Sequence, residues 1–519
     1  MTPLGPAPRR RRFVAVTFAL AFALSACGPR PPAQVALTIL STNDFHGGLE
    51  SSAKDRDTNR PLGGAPFVKA TLDRERATNP RATITLDAGD IYQGTALSNL
   101  TEGRSTIDYM NASGFDAAAV GNHEFDWGVP TLIDRIKQAQ FPILVANMIE
   151  RSTGKLPAWA QPYTIVEREG LRVAVIGLIT VTTPSVTLPE NVAPYEFLDP
   201  AEVANRLIAE LVPSRADIAV IACHIGGTQN RDGQITGEVA RMAEAIAGEA
   251  AVVSGHTHQR LAGEVDGVPV VQAVSSGRYI GRIDLLVDRA TRRVVRDSVR
   301  VIPVFSDSIA PDAVVAAIVA EHREKIAPIL DEVVGEAAAP ITVERAECPM
   351  GDLVADVMRE ASRATFAFTN PGGLRAPIDS GPITYSEVYA VIPFDNTIVI
   401  EEMTGEEVIR LLEQAAEDGG FLHPSGLSFT QDMTRPPGSR ITVAAMTGGF
   451  PIIGDTKYPV AVNDFMAQGG DGLSMLVDRP GAKESGIRLR DALLDYIRAE
   501  TKAGRKIPAR IDKRINRLQ

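Results

Sequence analysis

Five of the seven histidines in this 519-residue chain lie just beyond short apolar runs that are typical of buried β-strands. Acidic and amide residues take similar places, because Asp44 and Asn122 precede two of these histidines and Asp90 follows another apolar run. The carboxyl ends of strands in an open α/β sheet meet in one crevice, so we expect these side chains to converge on one site. The histidines concerned are His46, His123, His224, His256 and His258.

The residue types in this set are those of a metal site. Imidazole and carboxylate groups bind Zn, Mn or Fe, and the lack of a cysteine among them argues against a purely structural zinc site. Two ions about 3.5–4 Å apart need about seven or eight ligand atoms and a bridging carboxylate, for which Asp90 is the candidate. Each segment alone is more often a turn or a surface loop, so the interpretation depends on all of them together. We predict two divalent ions, Zn, Mn or similar, held by Asp44, His46, Asp90, Asn122, His224, His256 and His258.

The elements that must position these residues follow the sequence pattern of an α/β protein. In the first half, apolar runs such as 82–86 and 218–222 alternate with amphipathic helical stretches, which is typical of strands buried on both faces. A helical pattern over residues 312–334 indicates a connecting helix, and a second α/β region follows it. We therefore predict a first domain at about 33–308, a linker helix at 309–335 and a second domain at 336–519.

The N-terminus has the pattern of a bacterial export signal. Four arginines at 9–12 precede an apolar stretch at 13–26 that is long enough for a signal-peptide core but short for a membrane span. The stretch ends in LSACG, which resembles the lipobox of bacterial lipoproteins and predicts a lipoprotein signal peptide at 1–26 with Cys27 lipidated. The alternative is an ordinary secretory signal cut nearby. We expect an exported protein on the periplasmic side of a bacterial membrane, attached through Cys27 only.

Composition restricts the possible partners. The formal net charge of −11 argues against a dedicated nucleic-acid binder, which would present a basic face. Nothing in the sequence points to an obligate protein partner. Cys223 and Cys348 are far apart in the chain, and we expect both to be unpaired small hydrophobic residues.

Two motifs in the first half resemble a known family. Residues 42–47, TNDFHG, and 121–126, GNHEFD, resemble the calcineurin-like dinuclear metallophosphoesterases, and most closely the exported bacterial 5′-nucleotidase/UDP-sugar hydrolase family. The resemblance continues in the second half at 370–375, NPGGLR, at 391–394, VIPF, and at 463–472, NDFMAQGGDG. It implies an N-terminal αββα metallophosphoesterase sandwich, joined by a helix to a C-terminal α/β domain that recognises the nucleotide.

The resemblance also implies how a nucleotide substrate would bind. Phe394 and Phe465 would sandwich the base, although core packing is the more usual role of a phenylalanine. Asp471 would accept hydrogen bonds from the ribose, while Asn370 and Arg375 belong to the substrate loop. Two positions depart from the family pattern. Pro371 replaces a glycine, and Arg345 is displaced by one residue from the expected additional substrate arginine, so no role is assigned to it.

The expected activity is hydrolysis of nucleoside 5′-phosphates, extending to UDP-sugars, by water activated at the two ions. His123 would stabilise the phosphoryl group or protonate the leaving oxygen, and Asp126 would orient its ring. The alternative for His123 is an eighth metal ligand, with Asn122 only a turn residue. Two alternatives remain for the whole protein: a 2′,3′-cyclic nucleotide phosphodiesterase or other ester hydrolase using the same site, and a non-catalytic nucleotide-binding lipoprotein.

Overall fold

The computed structural model of the chain describes Gly5 and residues 33–51, 53–55, 58–212, 214–248, 250–417, 419–477 and 479–518. Apart from Gly5, the predicted signal peptide lies outside the described residues, and so does Cys27. Among the helices in the described part of the chain, none is both long and apolar enough to cross a bilayer.

The first domain is built from continuous apolar runs, as the sequence predicts. Strand Ile218–His224 is buried along its whole length, because both faces of its sheet are covered. The strands described in this domain are β1 (Gln34–Thr42), β2 (Ala53–Lys54), β3 (Pro61–Leu62), β4 (Thr83–Asp87), β5 (Ala117–Ala119), β6 (Ile143–Leu144), β7 (Met148–Glu150), β8 (Tyr163–Arg168), β9 (Leu171–Ile179), β10 (Tyr195–Phe197), β11 (Ile218–His224), β12 (Gly227–Gln229), β13 (Ile235–Gly237), β14 (Ala250–Val253), β15 (Arg260–Val265), β16 (Val268–Ala273), β17 (Tyr279–Asp288) and β18 (Arg293–Pro303).

Two six-stranded sheets form the centre of this domain. Their strand orders are β18-β17-β1-β4-β5-β6 and β15-β16-β14-β11-β9-β8. The sheets face each other across an apolar layer that includes Ile39, Ile84, Val175 and Val220, and helices cover their outer faces. The helices are α1 (Ala65–Arg76), α2 (Ala96–Asn99), α3 (Arg104–Ser113), α4 (Gly128–Gln138), α5 (Thr183–Val186), α6 (Pro189–Val192), α7 (Pro200–Leu211) and α8 (Glu238–Ala245).

The parallel strands at the centre of each sheet determine where the polar residues gather. β1, β4, β5 and β6 are parallel in the first sheet, and β9, β11, β14 and β16 are parallel in the second. Their carboxyl ends therefore lie at one edge of the sandwich. The loops after β1, β4 and β5 meet the end of β11 and the loop after β14 at that edge.

The linker helix is shorter than the predicted pattern of 312–334. Helix α9 (Ala313–Leu330) begins at the Asp312 N-cap, whose Oδ1 accepts a hydrogen bond from the Val315 amide at 2.9 Å. It ends at Leu330, and Val333–Ala337 forms strand β19, which pairs with Gly381–Thr384 in the second domain. Residues 333–335, placed in the predicted linker, are therefore part of a strand pair with the second domain, and the domain boundary at about 336 stays a prediction. Val333 and Val334 continue the apolar period of the helix, so periodicity alone could not place its end.

The second domain is also α/β. A five-stranded sheet carries one apolar core on each face; its strands, in order, are 423–425, 366–369, 457–463, 397–404 and 483–488. A three-stranded sheet of 441–446, 427–432 and 515–518 lies beside it. Its helices are α10 (Pro349–Ser362), α11 (Tyr385–Val391), α12 (Gly405–Ala415), α13 (Asp464–Ala467) and α14 (Leu489–Lys502). Its strands are β19 (Val333–Ala337), β20 (Phe366–Thr369), β21 (Gly381–Thr384), β22 (Thr397–Thr404), β23 (His423–Ser425), β24 (Leu427–Asp432), β25 (Ile441–Met446), β26 (Lys457–Asn463), β27 (Lys483–Arg488) and β28 (Ile515–Leu518).

The predicted fold class, an α/β sandwich joined by a helix to a second α/β domain, is confirmed. The prediction for the two cysteines of the folded region is confirmed as well. Cys223 and Cys348 are free and buried in separate apolar cores of the described chain.

Candidate metal and nucleotide site

The seven residues predicted as metal ligands meet at the carboxyl edge of the two sheets. Five of them have positive backbone φ angles of 47–77°, a region that residues other than glycine seldom adopt. Each such conformation costs about 1–3 kcal/mol and is typically retained where function requires it. The five residues are Asp44, His46, Asp90, His256 and His258.

One group of potential ligands lies at the end of β1. The ligand atoms of Asp44, His46 and His258 all lie within 4.8 Å of one another. The Nε2 atoms of the two histidines are 3.0 Å apart, and His258 Nε2 is 3.2 Å from Asp44 Oδ1. Asp90 reaches this group as well, because its Oδ2 is 3.7 Å from His46 Nε2.

The second group shares Asp90. His224 Nε2 lies 3.0 Å from Asp90 Oδ2, and these two residues form a trio with Asp44. The His256 ring lies beside the His224 ring, and its Nδ1 is 3.0 Å from Asn122 Oδ1. Asp90 therefore touches both groups, which is the position that a bridging carboxylate requires.

The hydrogen bonds of two histidines show that this cluster fits metal ions. His46 Nδ1 lies 2.7 Å from the carbonyl of Gln93, and His224 Nδ1 lies 2.8 Å from the carbonyl of Ala88. Because a carbonyl can only accept, each Nδ1 carries the hydrogen, and a neutral ring then presents the lone pair of Nε2 to the cluster. The buried Nε2 of His224 faces Asp90 Oδ2 at 3.0 Å without a hydrogen bond of good geometry, so both atoms are available to one ion.

Burial and neighbouring charges shift the pKa values of Asp44, His256 and His224. Burial would raise the pKa of Asp44, but the neighbouring His258 and His224 lower it to about 2. Burial and the charge of His224 lower the pKa of His256 to about 4. Burial also disfavours the charged form of His224, yet Asp90 outweighs it and raises this pKa to about 10. Asp90 therefore favours a positive charge at His224 Nε2, which a bound ion would supply in place of the proton.

His123 lies beside this cluster and is held by Asp126. Its Nδ1 is 2.7 Å from Asp126 Oδ2, and its Nε2 is 3.9 Å from Asp90 Oδ2. Burial lowers the pKa of His123, but the charges of Asp126 and Asp90 outweigh that effect, and the pKa is raised. The ring can therefore carry a proton at Nε2 while Asp126 maintains its orientation.

Sequence reasoning did not single out Glu124, which connects the loop after β4 to the loop after β5. Its buried carboxylate accepts hydrogen bonds from the backbone amides of Asp90, Ile91 and Gly121, at 2.7–2.9 Å. Asn43 was also missed, although its Nδ2 donates to Asp44 Oδ2 at 2.6 Å. Asn43 lies in the motif TNDFHG and Glu124 in GNHEFD, each close to a proposed ligand. That position was the signal from which the sequence could have predicted their roles.

A cavity of about 370 Å³ opens over this cluster, and both domains line it. Of the proposed ligands, four line the cavity, while Asp44, His46 and His224 are buried and do not line it. The second domain contributes every residue predicted for substrate binding, namely Asn370, Arg375, Phe394, Phe465 and Asp471. Arg345, to which the sequence assigned no role, lines the same cavity.

Side chains of the second domain reach the first across this cavity. The Phe394 ring stacks on His123 with centroids 5.7 Å apart, and Arg375 Nη2 lies 3.4 Å from His46 Nε2. Asn370 Nδ2 donates to Asp471 Oδ2 at 2.6 Å, so the amide reaches Asp471 even though Pro371 follows it. The histidine–carboxylate cluster and the loop 370–375 therefore form one continuous surface.

Comparison with known proteins agrees with this geometry. The calcineurin-like phosphoesterase family matches residues 37–260, and the 5′-nucleotidase C-terminal domain family matches residues 333–478. A 5′-nucleotidase of Vibrio cholerae is 29% identical over 93% of this chain and 95% of its own length. A crystal structure of a 5′-nucleotidase precursor from Thermus thermophilus superposes with a TM-score of 0.83 at 29% identity, covering 93% of this chain and 100% of that chain.

Endonuclease YhcR of Bacillus subtilis is 33% identical over 84% of this chain, but the chain spans only 37% of that relative's length. Taken together, the matches show that this chain belongs to the calcineurin-like phosphoesterases that carry a 5′-nucleotidase C-terminal domain. The family is one of metal-dependent phosphoester hydrolases, and the recognition made from the motifs is confirmed.

Proposed function

We propose that this protein is a 5′-nucleotidase that releases phosphate from nucleoside 5′-monophosphates with the help of two divalent ions. The observation that carries the proposal is the shared cavity, in which the histidine–carboxylate cluster of one domain faces the aromatic and polar loops of the other. A phosphate at the cluster would leave its nucleoside among those loops.

The distances suggest how the ions would be divided. Asp44, His46 and His258 would hold one ion, Asn122, His224 and His256 would hold the other, and Asp90 would bridge them. Such ions lower the pKa of water and neutralise charge on a transferring phosphoryl group. Arg375 and Arg345, the two arginines of the cavity, would bind the remaining phosphate oxygens.

The residues of the chain would provide the proton transfer and the orientation. His123 would donate from Nε2 to the leaving 5′-oxygen or stabilise the phosphoryl charge, while Asp126 keeps the other nitrogen protonated. Phe394 and Phe465 would hold the base, and Asp471, with Asn370 beside it, would bind the ribose hydroxyls.

Phosphate release from AMP tests the proposal. Purified protein loaded with Mn²⁺ or Zn²⁺ should release phosphate, and EDTA should abolish the release. Asp90→Asn should lose most of the activity and part of the bound metal, whereas the control Asp73→Asn, on the exposed side of α1, should lose neither. Nucleotide binding without phosphate release would instead support the nucleotide-binding lipoprotein.

A second candidate is hydrolysis of phosphodiesters, including 2′,3′-cyclic nucleotides. It is favoured by the relative named an endonuclease, which matches most of this chain. A panel of AMP, ATP, UDP-glucose and 2′,3′-cyclic AMP, compared by kcat/KM, separates the candidates. A higher kcat/KM for the cyclic substrate than for AMP would favour the phosphodiesterase.

We also propose that the protein is exported and lipid-anchored through Cys27. The proposal is supported by the arginines, apolar stretch and lipobox of the N-terminal sequence. Detergent phase partitioning of the protein expressed in bacteria tests it. Wild type should enter the detergent phase and Cys27→Ser should remain in the aqueous phase. Equal partitioning of the two would support an ordinary secretory signal.

A further inference from the structure

The segment between β9 and β10 carries short helices α5 (Thr183–Val186) and α6 (Pro189–Val192) and lies against the catalytic side of the cavity. It contains none of the histidines or carboxylates that pointed to the site. Two consecutive residues of this segment, Val186 and Thr187, nevertheless contact side chains that the proposed function uses.

The first contact sets the orientation of an amide. The backbone carbonyl of Val186 accepts a hydrogen bond from Asn122 Nδ2 at 3.3 Å. Because a carbonyl can only accept, the amide nitrogen must face it and the amide oxygen must face the other way. That oxygen lies 3.0 Å from His256 Nδ1, on the side of the proposed ion.

The second contact sets the orientation of a carboxylate. Thr187 Oγ1 donates to Asp126 Oδ1 at 3.0 Å, while the other oxygen of Asp126 holds His123. The Thr187 side chain is only 2% exposed, so water could not easily replace its hydroxyl. Asn191, on α6, donates to the backbone carbonyl of Asp126 at 3.1 Å and ties the same segment to this residue again.

The segment also faces the second domain. Helix α5 lies beside residues 470–472, the loop that carries Asp471, and Val186, Thr187 and Leu188 line the cavity. The segment that orients Asn122 and Asp126 is therefore also in contact with the Asp471 loop of the second domain.

We propose that Val186 and Thr187 form a positioning element that aligns Asn122 and the His123–Asp126 pair when the nucleoside loop of the second domain is in place. The proposal rests on the proposed function, because it assigns the segment a role in that reaction. Thr187 acts through Asp126 and touches no reacting atom, so it is a positioning residue. Losing such an indirect contact typically lowers activity by about 10–100-fold.

Three variants test the role of the Thr187 hydroxyl. Thr187→Val has a similar shape but no hydroxyl, and kcat for AMP should fall about 10-fold or more while KM and metal content stay unchanged. Thr187→Ser restores the hydroxyl and should recover most of kcat. Thr183→Val is the matched control, because Thr183 is equally buried in the same segment but donates to the Thr180 carbonyl at 2.8 Å. Its kcat should remain close to wild type.

A measurement without substrate separates this proposal from the proposed function. In ¹⁵N-labelled protein, exchange of the His123 Nδ1 proton with water should be faster in Thr187→Val than in wild type or Thr187→Ser. If that difference appears but no variant hydrolyses AMP, the positioning role stands and the nucleotidase assignment fails. The positioning role is wrong if Thr183→Val loses as much kcat as Thr187→Val, if Thr187→Ser does not recover it, or if proton exchange is unchanged.

Discussion

At the scale of single residues, His123 occupies the place where a proton donor would act. Its Nδ1 is taken by Asp126 and its Nε2 faces the cavity near Asp90. His123→Ala should lower kcat for AMP by roughly 10²–10⁴ while both ions remain bound, since general acid catalysis contributes about that much. Steady-state kinetics and metal analysis of the purified variant would measure the two effects.

The leaving group distinguishes the possible roles of His123. The leaving group of p-nitrophenyl phosphate needs little protonation, so this substrate should lose less activity than AMP if His123 is an acid. Equal losses on both substrates would indicate charge stabilisation. Loss of one ion from His123→Ala would instead favour the interpretation of His123 as a metal ligand.

His423 gives a pH-dependent prediction away from the site. It is fully buried, near Cys348 and Gly351, and burial together with the charge of Arg514 lowers its pKa to about 4. Between pH 6.5 and 4 the unfolded chain therefore binds a proton at His423, whereas the folded protein does not. The stabilising contribution of neutral His423 is complete above pH 6.5 and is lost as the pH falls toward 4. The free energy of unfolding should decrease by about 3 kcal/mol at most for this reason.

Urea unfolding at a series of pH values checks this prediction. His423→Gln cannot titrate, so its stability should fall less than that of wild type between pH 6.5 and 4. The comparison removes the opposing contributions of buried acids such as Asp352, whose pKa burial raises to about 7. Parallel curves for the two proteins would show that His423 is protonated in the folded state.

At the scale of elements, the loops after β4 and β5 approach each other so closely that Gly121 has no space for a side chain. An added Cβ would lie 2.3 Å from Asp90 Oδ1 and 2.4 Å from the Asp90 amide nitrogen. Gly121→Ala should therefore displace Asp90, lower metal content and activity, and cost about 1–3 kcal/mol through overpacking. Metal analysis and urea unfolding measure both effects.

Gly263→Ala is the control for that experiment. Its added Cβ would lie 3.3 Å from Gln229 Nε2, and neither residue is a proposed ligand or lines the cavity. Wild-type metal content in Gly121→Ala would mean that the two loops move apart without moving the carboxylate, contrary to the arrangement argued for Glu124.

At the scale of the whole molecule, the proposed catalytic and recognition residues lie on different domains that meet at the cavity. Asn99 Nδ2, in the first domain, donates to the Pro393 carbonyl of the second at 3.1 Å, next to Phe394. Phe465→Ala should raise KM for AMP about 10-fold, in line with stacking worth roughly 1–3 kcal/mol, and leave KM for p-nitrophenyl phosphate nearly unchanged. Phe450→Ala is the control, since Phe450 is 67% exposed and does not line the cavity. Equal KM increases for both substrates would contradict base stacking by Phe465.

Local sequence determined the elements and their polar ends. The helix Gly405–Ala415, for example, is begun by the capping box of Thr404 and Glu407, a signal that lies within four consecutive residues. Apolar runs followed by glycine, histidine and aspartate predicted strand ends with polar loops, and parallel strands have to bring such ends to one edge. The convergence of these histidine and aspartate side chains could be predicted because periodicity, turn chemistry and residue type are all properties of short segments.

Tertiary packing decided where the linker helix ends and which residues contact Asn122 and Asp126, because both depend on neighbours distant in sequence. Leu330 ends the linker helix because Val333–Ala337 pairs with β21, a choice that an apolar period shared by helix and strand cannot reveal. Val186 presents only a backbone carbonyl to Asn122, and any residue type could supply it. Thr187 is one of many threonines until the fold places it against Asp126. A short segment determines its own conformation and the chemistry it carries, but only the folded chain determines which groups it meets.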